Sequence, residues 1–281
     1  MLPESLEPGH RKTDEQHRRD ICTVGRWIHG RHFVAATDGN LSVRLDHDAV
    51  LSTPTGMSKG MMETEDLVVV DMQGKKVMGR RNVSSEIAMH LQIYRLRPDV
   101  KGIVHAHPPT ATGYAACGLP LNQALVSEIV LALGCIPVAK YGTPGTPELT
   151  QALEPLIPQY DAILMANHGV VTYGEELARA YMKMETVEHF AKIALVSHLL
   201  GRPQLLSDED VGKLMIAREK YEGVTSAAPR APGCPVTESG SAAPPAQAPL
   251  VPGGSADRFV VTREELASIV EDAVRHTKRR W

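Results

Sequence analysis

KGIVHAHPP, residues 101–109, carries an apolar run into two histidines one residue apart. The run reads as a short buried strand. Residues i and i+2 of a strand point to the same face, so His105 and His107 project side by side. Two neutral imidazoles on one face can share a divalent metal ion. A pair of solvated or core histidines satisfies the same short pattern. The rest of the chain has to decide between them.

Strand-like and helix-like segments alternate on both sides of this stretch. Upstream, residues 15–31 place Ile21, Val24, Trp27 and Ile28 at helical spacing. Asp38-Gly39 is a tight-turn signal, and Leu41, Val43 and Leu45 then alternate as in a half-buried strand. AVLSTPTGMSKG reads as a strand entering a Pro/Gly loop, and DLVVVDMQGKKVMG as a hairpin turning at Gln73-Gly74. Residues 84–96 read as a helix with Ser84, Ser85 and Glu86 in its first turn, either serine being a good cap. Downstream, a helix opens at PPTATGYAACG, a short one covers 123–133, and IPVAKY is a strand. PELTQALEPL is helical, and DAILMANHG is a strand whose sequel GVVTYG either continues it or pairs back. A long helix spans 175–200 and a final one 207–221. No Rossmann glycine fingerprint accompanies this α/β alternation.

The chain has 281 residues, 43% of them hydrophobic, and a net charge of −3 with both signs interspersed. That suffices for one sizeable core and lacks the basic surface a nucleic-acid binder needs. Cys22, Cys117, Cys135 and Cys234 form no CxxC, which fits a reduced, cytoplasmic protein. The polar N-terminus has no apolar signal region, and no run of about 18 apolar residues suggests a membrane span. The expected division is a flexible N-terminus at 1–14 and an α/β domain at 15–222. A Pro/Gly/Ala-rich disordered linker follows at 223–256. From 225 to 256 it holds no aromatic residue and only Arg230 and Glu238 as charges, too little to offset chain entropy by burial. Residues 257–281 form an amphipathic helix, capped by Thr262 with Glu265, with Leu266, Ile269, Val270, Ala273 and Val274 in one stripe.

Several polar groups sit at element ends. His168 in Asn167-His168-Gly169 lies where a strand finishes, as does the His105–His107 pair, and ligands of open α/β sheets collect at strand ends. Three histidines would leave a position of a zinc ion open to substrate. Glu86 is the candidate acid/base. Ser84 and Ser85 beside it make a natural anion site, and Gly39-Asn40 and Thr55-Gly56 offer unobstructed backbone N–H groups. Each alone has a plain reading as a cap, a turn residue or a surface histidine.

In order, the chain carries GN at 39–40, PTG at 54–56, SSE at 84–86, HAHP at 105–108, PGTPEL at 144–149 and NHG at 167–169. This set resembles the class II (metal-dependent) aldolases of the aldolase/adducin superfamily, above all their fuculose-phosphate aldolase branch, over about residues 15–222. The resemblance implies a three-layer α/β/α sandwich around a central, mainly antiparallel sheet, and a homotetramer. It implies Zn²⁺, or another divalent metal, on His105, His107 and His168, with Glu86 as ligand or nearby base. Gly39, Asn40, Thr55, Gly56, Ser84 and Ser85 would hold the substrate phosphate. Tyr221 matches one of two family tyrosines near a neighbouring subunit's site; the other has no counterpart, since its stretch reads ALVSEIV. The implied reaction is retro-aldol cleavage of L-fuculose 1-phosphate or L-rhamnulose 1-phosphate to dihydroxyacetone phosphate and lactaldehyde.

Pentulose-phosphate 4-epimerases share the scaffold but typically carry Asp where this chain has Glu86. Methylthioribulose-phosphate dehydratases share the histidines, and non-catalytic adducin-like proteins lack them. The linker and terminal helix resemble the encapsulation peptides that carry enzymes into bacterial microcompartments. That likeness implies the shell, or other cargo, as a partner and the microcompartment interior as location.

Overall fold

The computed structural model describes residues 12–201 and 203–218. Helix α1 (Asp14–Gly30) opens on a capping box: Gln16 N donates to Thr13 Oγ1, and Thr13 N donates to Gln16 Oε1. The strands are β1 (Asn40–Arg44), β2 (Ala49–Ser52), β3 (Val68–Asp71), β4 (Lys76–Met78), β5 (Gly102–Ala106), β6 (Val138–Ala139), β7 (Ala162–Met165) and β8 (Gly169–Gly174). They form one sheet in the order β4-β3-β2-β1-β5-β8-β7-β6. Every pairing is antiparallel except β6 with β7. The segment after NHG therefore pairs back: β8 inserts between β7 and β5, with Val171 opposite His105.

The remaining helices are α2 (Ile87–Leu96), α3 (Pro109–Ala116), α4 (Ser127–Ala132), α5 (Pro147–Leu153), α6 (Leu177–Leu199) and α7 (Asp208–Arg218). Alternation along the strands sorts the core into two layers. Leu41, Val43, Val104, Leu164 and Val170 pack under α1, α3, α4, α6 and α7. Val50, Val70, Ile103, Ile163 and Val171 pack under α2 and α5. This is the expected three-layer sandwich. With both faces covered, β1 is buried along nearly its whole length rather than half-buried.

Two local expectations change. The helix expected at 84 begins at Ile87, and its cap is Glu86, with no side-chain cap bond. Ser84 and Ser85 instead form a turn ahead of it, in which Ile87 N donates to Ser84 O at 3.2 Å. The short helix of 123–133 is confined to Ser127–Ala132. Among the described residues, no helix is long and apolar enough to cross a membrane. Tyr221, the linker at 223–256 and the helix at 257–281 lie outside the described residues.

Candidate metal and acid–base site

Antiparallel pairing puts the end of β5, the start of β1 and the turn before β8 at one edge of the sheet, with Asn40 opposite His105. His105, His107 and His168 meet there, with ring centroids 4.8–5.2 Å apart. One ring nitrogen from each lies within 4.8 Å of the others. The backbone makes room for this. A Cβ on Gly169 would sit 2.5 Å from the His107 ring, and one on Gly39 (φ +73°) 2.8 Å from the His105 carbonyl oxygen. Asn167 takes φ 54° to turn His168 inward, a conformation that asparagine tolerates better than most residues. Glu188, buried on α6, accepts from the N–H groups of Thr110 and Ala111. It thereby fastens the start of α3 just after His107.

Glu86 reaches into this cluster from the head of α2. Its Oε2 accepts from Asn40 Nδ2 at 2.8 Å and lies 3.3 Å from His105 Nε2, and its Oε1 lies 3.3 Å from His168 Nε2. The tautomers follow from the outer partners. His105 Nδ1 donates to the Val170 carbonyl at 2.9 Å, and His107 Nδ1 stands 3.5 Å from Asp38 Oδ2. Their Nε2 atoms then face each other at 3.2 Å. Glu86 Oε1 and His168 Nδ1 are buried without a hydrogen-bond partner. The ring nitrogens that face one another and the unpartnered Glu86 Oε1 fit a divalent cation as their common partner.

The electrostatics agree. Burial opposes charge on Glu86, but His105, His168 and the Asn40 N–H hold its pKa well below the usual carboxylate range. Burial also works against a charged His105, and the Glu86 carboxylate overcomes it, so that pKa is raised. Burial and the neighbouring His105 push His168 down to about 4, and the same two causes lower His107. Glu86 is thus ionised, and the His107 and His168 rings are neutral.

The residues expected to hold an anion lie around this edge. The Pro54–Val83 bridge brings the Thr55–Gly56 loop beside the Ser84–Ser85 turn, and Thr55 N donates to Asn82 O. Gly56 takes φ +67°, and a Cβ there would meet nothing within 4 Å. Gly145 of the PGTPEL segment packs against Ser85. The Asn40 side chain is committed to Glu86 and to His90 (2.5 Å), which leaves its second Nδ2 hydrogen. Four residues near this edge carry no signal of a site role in the sequence: Asp38, which reads as a turn former, and Ser42, His90 and Lys59. Lys59 is buried and donates to the carbonyls of Thr37 (2.8 Å) and Met57 (2.6 Å), tying the Thr55–Gly56 loop to the entry of β1. Burial pushes its pKa down to about 8.

Residues 19–195 match the family model described as the class II aldolase and adducin N-terminal domain. A 3-oxo-tetronate 4-phosphate decarboxylase of Pectobacterium atrosepticum is 33% identical over 72% of this chain and 94% of its own length. A 5-deoxy-D-ribulose 1-phosphate aldolase of Bacillus thuringiensis is 30% identical over 74% of this chain and 97% of its own. Among solved structures, an L-fuculose 1-phosphate aldolase superposes with a TM-score of 0.69 at 33% identity, covering 76% of this chain and 100% of that one.

Proposed function

Because this chain belongs to the class II aldolase and adducin family and is a lyase of that family, we propose that it cleaves 6-deoxyketose 1-phosphates by a metal-dependent retro-aldol reaction. The products would be dihydroxyacetone phosphate and lactaldehyde. The observation that carries the reading is the junction of three imidazoles with a buried, partly unpartnered carboxylate at one sheet edge. His105, His107 and His168, with Glu86 beside them, would hold the divalent ion, and imidazole-rich ligation suits zinc. When bound, that ion supplies Lewis-acid polarisation of the ketose carbonyl and stabilises negative charge on the substrate oxygens.

The chain's own groups do the rest. Gly39, Asn40, Thr55, Gly56, Ser84 and Ser85 grip the phosphate, where open backbone at Gly56 allows close approach. As C3–C4 breaks, the C4 hydroxyl gives up a proton and becomes the aldehyde. The ionised Glu86 first takes up a proton, matching the one lost from the C4 hydroxyl, and delivers it to C3, which becomes the hydroxymethyl carbon. Tyr221, carried over from the resemblance alone, serves the aldehyde end of the site in a homotetramer. On the same footing, residues 257–281 act as a microcompartment cargo signal joined by the 223–256 linker.

The test is coupled release of dihydroxyacetone phosphate from L-fuculose 1-phosphate and L-rhamnulose 1-phosphate, with and without chelator. Release that chelator abolishes and metal restores is expected. No release from either sugar by metal-replete protein would overturn the reading and move it to the epimerase or dehydratase branch. The decarboxylase relative adds one arm, 3-oxo-tetronate 4-phosphate, scored by carbon dioxide.

A further inference from the structure

Behind the carboxylate runs a row of buried polar groups, of which the reaction above uses only Asn40. Glu86, His90 and Tyr94 stand four residues apart, along the head and one face of α2. Asn40 and Ser42 stand two residues apart on β1. Four helical residues rise about 6 Å and two strand residues about 6.8 Å, so the two rows stay in step and interleave. The contacts alternate between them. Tyr94 Oη lies 2.8 Å from Ser42 Oγ, Ser42 Oγ 2.6 Å from His90 Nδ1, and His90 Nε2 2.5 Å from Asn40 Oδ1. Asn40 Nδ2 then meets Glu86 Oε2 at 2.8 Å. All five residues are buried.

The direction of every bond follows from the carboxylate end. An ionised carboxylate only accepts, so Asn40 must offer its amide N–H to Glu86 and turn its carbonyl to His90. His90 must then donate from Nε2. Complete burial pushes its pKa down to about 3, so the ring is neutral and Nδ1 carries a lone pair. Ser42 donates to that lone pair and accepts from Tyr94. The other acceptor near Tyr94 Oη, the Lys101 carbonyl, is farther away at 3.4 Å.

We propose that His90 is a positioning residue: braced by Ser42 and Tyr94, it fixes the Asn40 amide so that its N–H rather than its carbonyl faces Glu86, and so aims the carboxylate at the carbon it protonates. The role rests on the reading of Glu86 given above. Without the His90 N–H, an Asn40 flip would set two acceptors against each other, and the carboxylate would turn away.

Two variants of matched polarity separate positioning from mere packing. His90→Gln reaches as far as Nε2 and can still donate to Asn40. His90→Asn reaches only as far as Nδ1, so it keeps Ser42 and loses Asn40. The expected result is a fall in kcat of about 100-fold for His90→Asn, larger than any change in KM or metal content, and substantial rescue in His90→Gln. Equal kcat in both variants, or equal loss with KM and thermal stability moving together, would overturn the proposal. Histidine ¹⁵N NMR, with His90 assigned by its absence in His90→Gln, should show the Nε2-protonated tautomer; the Nδ1-protonated form would also overturn it. Should the wild-type chain cleave no tested sugar, the functional reading fails separately. The tautomer, and the Glu86 orientation in a crystal structure of His90→Asn, would still decide the relay.

Discussion

Both ends of the central strands β5 and β8 bury charge, and they do so in opposite ways. At one end Arg97 donates to both oxygens of Asp99 (2.9 and 2.7 Å) and to Asp161 (2.9 Å), and its guanidinium lies over the Tyr173 ring. Lys183 closes the set on Asp161 at 2.7 Å and on the Tyr173 carbonyl at 3.0 Å. Burial works against the Arg97 charge, but Asp99 and Asp161 outweigh it and raise its pKa further. At the other end three imidazoles and Glu86 crowd together, with Glu86 Oε1 and His168 Nδ1 unpartnered. The Arg97 network is complete within the chain; the second end leaves Glu86 Oε1 open to a cation. Satisfied buried charge indicates structure, and unsatisfied buried polar groups indicate a ligand.

The largest effect should come from breaking the complete end. Arg97→Met leaves Asp99 and Asp161 without their shared guanidinium, and removing one partner of a buried pair costs about 3 kcal/mol or more. Denaturant unfolding of metal-loaded protein measures this, and a loss below about 1 kcal/mol would show that the network is dispensable. The incomplete end should respond to addition rather than removal. A divalent ion at 100 times its dissociation constant should raise stability by about 2.7 kcal/mol. His107→Ala should lose most of that gain, and Arg97→Met should keep all of it. If Arg97→Met also lost the metal increment, the two ends would be coupled and the comparison would fail.

The two ends also differ in how far they could be read from sequence. HAH at 105–107 betrays itself because a two-residue period puts both rings on one face. The six ordered motifs bring Glu86 and His168 to the same edge, and it is there that the structure gathers them. The pairing of β8 back onto β5 stayed open, because periodicity says which face a residue takes and nothing about strand order. Helix α2 starts three residues later than its pattern suggests, since Ser84 and Ser85 suit a cap and a turn equally well. The Asn40–Ser42 and Glu86–His90–Tyr94 rows were present as spacings, but neither has meaning until the helix lies on the strand. Arg97 and Asp99 stand two residues apart, but nothing local marks them as buried until Asp161, 64 residues on, joins them.

Asp38 tests how far burial sets the strength of these contacts. It and Glu86 are both carboxylates set against imidazoles of the same cluster. The Asp38 side chain is 48% exposed and stands 3.5 Å from His107 Nδ1, whereas that of Glu86 is 10% exposed. An acceptor on the outer nitrogen of a metal-ligating histidine fixes the ring and raises its basicity, typically by 10- to 100-fold in metal affinity. Exposure weakens that contribution through solvent and salt screening. Asp38→Asn should therefore fall at the low end, weakening metal binding about 10-fold, or about 1.4 kcal/mol, in chelator competition. The loss should shrink at high salt, because a half-exposed charge is screened where a buried one is not. An unchanged affinity would mean that the backbone alone sets His107, through its N–H bond to the Phe33 carbonyl at 2.8 Å. A loss as large at high salt as at low would mean that Asp38 closes over the site and is buried once the ion is bound.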